Sequence, residues 1–167
     1  MTCIGNVRLA LAYCAVAAFC ATAQEPPATL TVKGDVAAPL ALTAEEFGKL
    51  PRQKATVTGE DGASVTYEGV LLRDLLQRAG APSGKDLRGK ALAAYVLAKA
   101  HDGYEVVFTL GELAPEFGNE PILVADKRDG KVLFGYQGPF RLVCPNDKAG
   151  ARSVRMLESL EVVKLRK

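Results

Sequence analysis

Three Asp-Gly dipeptides, Asp61-Gly62, Asp102-Gly103 and Asp129-Gly130, constrain this chain more than any other feature. Each has strand-forming residues on both sides, and the pair supplies the positive φ that a tight hairpin turn needs at its centre. A chain punctuated in this way is committed to antiparallel pairing. Around the second turn Val106, Phe108 and Leu110 alternate with Glu105 and Thr109, the period of a half-buried strand. Residues 122–125 and 132–134 are predicted to pair around the third. Leu30-Thr31-Val32 reads as the first strand, residues 140–144 as a strand closed by Pro145, and residues 160–165 as the last.

Helices are few and short. Thr43-Ala44-Glu45-Glu46 is a capping box, in which the Thr hydroxyl and the Glu carboxylate each accept from the other's backbone N–H, and Pro51 ends the short helix it opens. Over residues 70–79, Leu72, Leu75, Leu76 and Ala79 fall on one helical face before Gly80 and Pro82 end the run. Residues 154–157 read as one more helical turn. Strands outnumber helices, so the expected class is α+β, β-rich with mostly antiparallel pairing.

The first 23 residues stand apart. A single Arg8, an apolar run over residues 9–19 and Ala21-Thr22-Ala23 before Gln24 have the layout of a cleaved signal peptide, too short for a membrane span. Glu25-Pro26-Pro27 lies in a short tether, residues 24–29, and residues 30–167 are expected to form one domain. Cleavage removes Cys3, Cys14 and Cys20 and leaves Cys144 as the one cysteine, so no internal disulfide can form. The expected location is outside the cytoplasm, periplasmic or secreted. Hydrophobic residues at 49% and charged residues at 24% exclude a disordered chain. A net charge of +2 gives no basic surplus for nucleic acid.

Candidate chemistry is sparse. His101 beside Asp102 could serve acid–base work, but neighbours in a turn point apart and no nucleophile is tied to them, so a turn residue is the reading preferred over a site-lining one. Cys144 ends an apolar strand and reads as a small buried hydrophobe rather than a reactive thiolate or metal ligand. Arg141, Lys148, Arg152 and Arg155 cluster around a Gly-bearing loop with only Asp147 in opposition. Exposed backbone N–H groups and guanidinium forks together suit an anion such as phosphate, although a basic loop is often only a solvated surface.

The same region carries a family resemblance. Gly138-Pro139-Phe140-Arg141-Leu142-Val143-Cys144-Pro145, followed by Gly150-Ala151-Arg152-Ser153-Val154-Arg155-Met156-Leu157, resembles the C-terminal signature of the sulfite oxidase family's molybdopterin-binding domain, which reads Pro-Leu-Arg-Leu-Val-Val-Pro and Gly-Ala-Arg-x-Val-Lys-Trp-Leu. Gly69-Val70-Leu71-Leu72-Arg73-Asp74-Leu75-Leu76 is similar to its Gly-Val-x-Leu-x-Asp-Leu-Leu helix. Asp102-Gly103-Tyr104 and the stretch from Ala125-Asp126 to Gly130 fit the central strands of small exported members. The resemblance implies a β-rich fold whose C-terminal loop grips the phosphate and pterin of a molybdenum cofactor. It implies phosphate contacts from Arg152 and the Ser153 backbone, a pterin contact from Arg155 where the family has Lys, and a binding role for Arg141. Arg is not equivalent to Lys there, being longer and planar. Met156 replaces the usual Trp.

One departure matters most. Catalytic members of that family ligate molybdenum through a Cys thiolate placed before the Gly-Val helix, a soft ligand for a soft centre. Residues 57–66 contain no Cys, and nothing argues for oxygen ligation by Ser64 or Asp61. Three readings stay open: an exported protein that binds molybdopterin, another anionic small molecule or an exported partner protein without molybdenum turnover; a molybdopterin-dependent oxidoreductase with an atypical metal ligand; and a scaffold without a ligand. The first is the expectation.

Overall fold

A computed structural model describes residues 29–58 and 62–165. The predicted signal peptide and all of the tether but Thr29 lie outside the described residues, and Thr29 itself opens the first strand. Among the described residues ten strands form two sheets. They are β1 (Thr29–Gly34), β2 (Leu40–Thr43), β3 (Gln53–Thr58), β4 (Ser64–Leu71), β5 (Tyr95–Ala100), β6 (Glu105–Thr109), β7 (Leu123–Arg128), β8 (Lys131–Val132), β9 (Arg141–Val143) and β10 (Leu157–Val163). Three short helices accompany them: α1 (Ala44–Gly48), α2 (Leu72–Arg78) and α3 (Leu110–Leu113).

The first sheet runs β2-β1-β10-β5-β6, with a parallel β1–β10 pair and antiparallel neighbours elsewhere. The second runs β3-β4-β7-β8, with β9 also on β7, all antiparallel. This is the β-rich α+β class expected from the turns.

The three Asp-Gly sites close their hairpins in different ways. Arg128 pairs with Lys131, leaving Asp129 (φ 49°) and Gly130 (φ 77°) as a two-residue loop, and the Asp129 side chain accepts from the Thr66 N–H at 2.9 Å. The second hairpin is longer by one residue. Gly103 N–H reaches Ala100 O at 3.1 Å, and Tyr104 O accepts from Ala100 N–H at 2.9 Å. The first needs residues 59–63 to connect Thr58 with Ser64, and Asp61 falls outside the described residues.

The expected capping box is made, and the structure adds a second. Glu46 N–H donates to Thr43 Oγ1 at 3.3 Å and Thr43 N–H to Glu46 Oε2 at 2.9 Å. The second box, Thr109 with Glu112, closes at 3.1 Å in both directions. Phe47 of α1 is buried against Phe140, ring edge to face, at 5.0 Å between centroids.

Three local expectations are corrected. Around the third Asp-Gly turn Lys127 and Arg128, not residues 122–125, pair with Val132 and Lys131, because β4 and β9 flank Leu123, Val124 and Ala125 on both sides. The helical face over residues 70–79 begins at Leu72, because Val70 and Leu71 pair with Val124 and Leu123 and the sheet claims their backbones. Residues 154–157 are not a helical turn. A 3-10 turn occupies Gly150–Arg152, and beyond it the chain bonds across to the segment around β9: Leu142 N–H to Val154 O and Leu157 N–H to Phe140 O, each 2.8 Å. Those cross-chain bonds take the groups that a helical turn would use internally. Gly69, at a register irregularity of β4, is a close-approach position: a Cβ there would stand 1.9 Å from Val124 O.

The main core lies between the first sheet, the helices and one face of the second sheet, and includes Leu30, Leu72, Val96, Phe108, Val124, Phe140, Leu142 and Leu160. A smaller cluster covers the other face of the second sheet: Val65, Tyr67, Leu123, Ala125, Leu133 and Val143. That second face is incompletely covered, and the candidate site lies there.

Candidate functional site

A groove of about 1030 Å³ runs along the outer face of the second sheet. Val57 and Thr58 of β3 and Val65 and Tyr67 of β4 form one side. Arg141 and Val143 of β9, then the loop from Cys144 to Ser153, form the other, with Arg128, Gln137 and Arg155 completing the wall. Strand alternation explains this placement: on β9, Arg141 and Val143 face the groove while Leu142 enters the main core.

Arg141 is half-buried and has no carboxylate partner among the described residues. Its guanidinium lies over the Tyr67 ring at 5.2 Å, and Nη1 donates to Gln137 Oε1. Its Nε is buried and unpartnered. Burial holds this guanidinium below its ordinary pKa, and the charges of Arg155 and Arg128 push the same way. A buried cation that faces other cations lacks an anion. Arg155 is exposed, stands over the Tyr136 ring at 5.5 Å, and also has no ion pair among the described residues. Lys148 lies on the same wall.

Arg152 is placed differently. Its Nε and Nη2 donate to the two oxygens of Asp147 at 2.8 and 2.7 Å, and its Nη1 to Glu112 Oε1 at 2.8 Å. Its guanidinium lies over Phe108 at 5.1 Å, and it is not part of the groove wall. The Asp147 hydrogen bonds hold it well above its ordinary pKa against the opposing effect of burial. Ser153 does line the groove, but its N–H donates to Gly150 O at 3.0 Å and its Oγ accepts from the Cys144 N–H at 3.2 Å. Of the four residues carried over from the resemblance, Arg141, Ser153 and Arg155 meet at the groove, and Arg152 stands behind its loop.

Cys144 borders the groove yet is only 6% exposed, and its Sγ donates to Arg152 O at 3.6 Å. Burial pushes its thiol up to about 12, and the Asp147 carboxylate adds to the rise. It is therefore a neutral thiol at physiological pH, without the thiolate character a metal ligand needs. No group of three His, Cys, Asp or Glu side chains among the described residues could hold a metal ion. His101 projects from the second hairpin, 80% exposed, with Nδ1 4.0 Å from a Glu158 carboxylate oxygen and away from the groove wall.

Sequence reasoning passes over Tyr67, Arg128, Tyr136 and Gln137. Tyr67 alternates with Val65 on β4, and Arg128 immediately precedes the tightest Asp-Gly turn, so both carry a signal in the sequence. Gln137 and Tyr136 sit in a 3-10 turn, Gly135–Gln137, that carries no periodic pattern. A second, smaller cavity of about 300 Å³ lies between α2 and α3.

Comparison with known proteins agrees with this fold. No curated protein matches the chain. Among solved structures, the sulfane dehydrogenase SoxCD from Paracoccus pantotrophus shares the fold with a TM-score of 0.62 and 22% identity, over 80% of this chain and 37% of that one. The chain thus spans little more than a third of that relative. The family model for the oxidoreductase molybdopterin-binding domain matches residues 21–167. With nearly its whole length matched, the chain belongs to the oxidoreductase molybdopterin-binding-domain family.

Proposed function

We propose that this chain is an exported member of its family that binds a phosphate-bearing pterin, or a similar anion, in the groove without molybdenum redox turnover. The observation that carries the reading is Arg141, a half-buried cation with an orphaned Nε and no carboxylate partner among the described residues, set among Arg128, Arg155 and Lys148. Such a group is costly until an anion arrives, and a groove of this size admits far more than inorganic phosphate. Molybdopterin fits on these grounds. Bound there, it would supply a phosphate for the arginines, a pterin body for the groove, and sulfur ligands for a metal. Arg141, Arg155 and Ser153 are the residues placed to hold it.

The protein's own share of a metal centre does not fit. The stretch where the resemblance calls for a thiolate has Val57, Thr58 and Val65 at the groove, and Cys144 is a protonated, buried thiol. No helix among the described residues is long and apolar enough to cross a membrane. The leader of residues 1–23 supports export, and an exported protein partner is part of the proposal.

Protein purified from a molybdenum-replete host tests the reading through pterin extraction and metal analysis. Pterin with far less than one metal per chain is the expected result. Stoichiometric molybdenum would favour the oxidoreductase alternative. Absence of pterin, together with no binding of inorganic phosphate, would leave only the scaffold reading. The intact mass of the exported protein, expected to begin at Gln24, tests the leader.

A further inference from the structure

Asp147 is the one acidic residue in the described groove wall, and on its own it would repel any anion drawn to Arg141. Both of its oxygens are engaged by Arg152, which also reaches Glu112 on α3. We infer that Arg152 is a positioning residue that sets the sign of the groove, cancelling Asp147 from behind the loop rather than touching the bound anion. The inference rests on the anion-binding reading above.

The guanidinium has little left to offer a ligand. Its Nε edge and one Nη are taken by Asp147, the other Nη by Glu112, and one face by Phe108. Flanked by two carboxylates, it belongs to a trio whose net charge is negative, so a third anion gains nothing by approaching it. The residue's backbone also ties the loop to the end of β9. Its backbone carbonyl accepts from the Cys144 thiol at 3.6 Å, and the neighbouring Ser153 Oγ accepts from the Cys144 N–H at 3.2 Å. Arg152 therefore holds the segment carrying Asp147 and Lys148 at a set distance from β9.

Titration calorimetry with inorganic phosphate at low ionic strength tests this. Wild type, R152Q, E112Q and R152Q/D147N are compared, with circular dichroism to verify folding. Removing Arg152 frees the Asp147 charge, and R152Q is expected to weaken phosphate binding by about tenfold. R152Q/D147N removes that charge again and should return to within about threefold of wild type. E112Q leaves the Arg152–Asp147 pair intact, so affinity should hold while thermal stability falls.

A double variant as weak as R152Q would mean that Arg152 contacts the anion directly, and the inference would be wrong. R152Q binding like wild type would overturn it as well. If R152Q does not fold, the double variant alone decides by the same threefold criterion. Wild type that binds no phosphate would instead refute the anion-binding reading itself, a result distinct from either of the others.

Discussion

Strand β9 presents two environments within three residues. Leu142 faces the sealed side of the second sheet, fully buried in the main core beside Val124 and Phe140. Arg141 and Val143 face the open side, where six buried residues form the whole cluster and the groove begins. The sealed side is complete as it stands. The open side combines a small apolar floor with a cation that no group among the described residues neutralises, and its geometry calls for a ligand. Stability and binding are thus carried by opposite faces of one strand.

The largest expected effect tests that separation directly. Leu142→Ala should cost about 3–4 kcal/mol of unfolding free energy, since the deleted atoms leave a cavity in packed surroundings. Val143→Ala, whose cavity opens to solvent, should cost about 1–2 kcal/mol. Urea denaturation of the two variants measures both values. Equal losses would show that the open face is packed as tightly as the sealed one.

Arg141→Met sharpens the comparison from the other side. The substitution removes a cation that lacks an anion and keeps most of its volume, so the ligand-free chain should unfold at the same temperature or higher. Phosphate binding should be lost in the same variant. A fall of several degrees in Tm with binding retained would assign Arg141 to the fold and not to the site.

How far the sequence reaches obeys the same division. Hairpins and caps rest on local chemistry, and the Thr43–Glu46 box is legible in four letters. The equivalent box at Thr109–Glu112 has the same spacing but is hidden, because Leu110 reads as the end of the strand before it. Non-local terms defeat the rest. Val70 continues a helical pattern but is held by Val124 in the sheet, and the Val154 carbonyl accepts from Leu142 across the fold rather than from a following helical turn. At the site, clustering of basic residues points to the right loop. It does not distinguish Arg141, which has no carboxylate partner among the described residues, from Arg152, which has two, since Glu112 lies 40 positions away in sequence.

Cys144 offers a pH test of how closed the boundary between the two faces is. Its thiol is raised in the folded state to about 12 from 9.0, so unfolded protein loses this proton first as pH rises. Stability is unaffected by this group below pH 9.0 and falls between 9.0 and about 12. Cys144→Ala should flatten that decline, as read by urea midpoints at a series of alkaline pH values. A maleimide should label wild type at neutral pH only as fast as the protein opens. Rapid labelling of folded protein would show the thiol to be open to the groove.

The smallest effect concerns the support behind the groove. Thr109→Ala removes the hydroxyl that accepts the Glu112 N–H and should cost about 1 kcal/mol, as N-cap losses generally do. Thr43→Ala should cost a similar amount through the matching bond to Glu46. The two caps differ in what lies beyond them. Glu46 holds only its own helix end, whereas Glu112 uses Oε2 for the cap and Oε1 for Arg152. Loosening Glu112 should therefore leave phosphate affinity within about twofold while Arg152 keeps its bidentate hold on Asp147, because that hold is what neutralises the groove wall. Calorimetry on Thr109→Ala beside Thr43→Ala makes the comparison. A drop in affinity confined to the Thr109 variant would show that the Arg152–Asp147 pair depends on α3, extending the binding apparatus from the open face of the second sheet into the helix that caps the first.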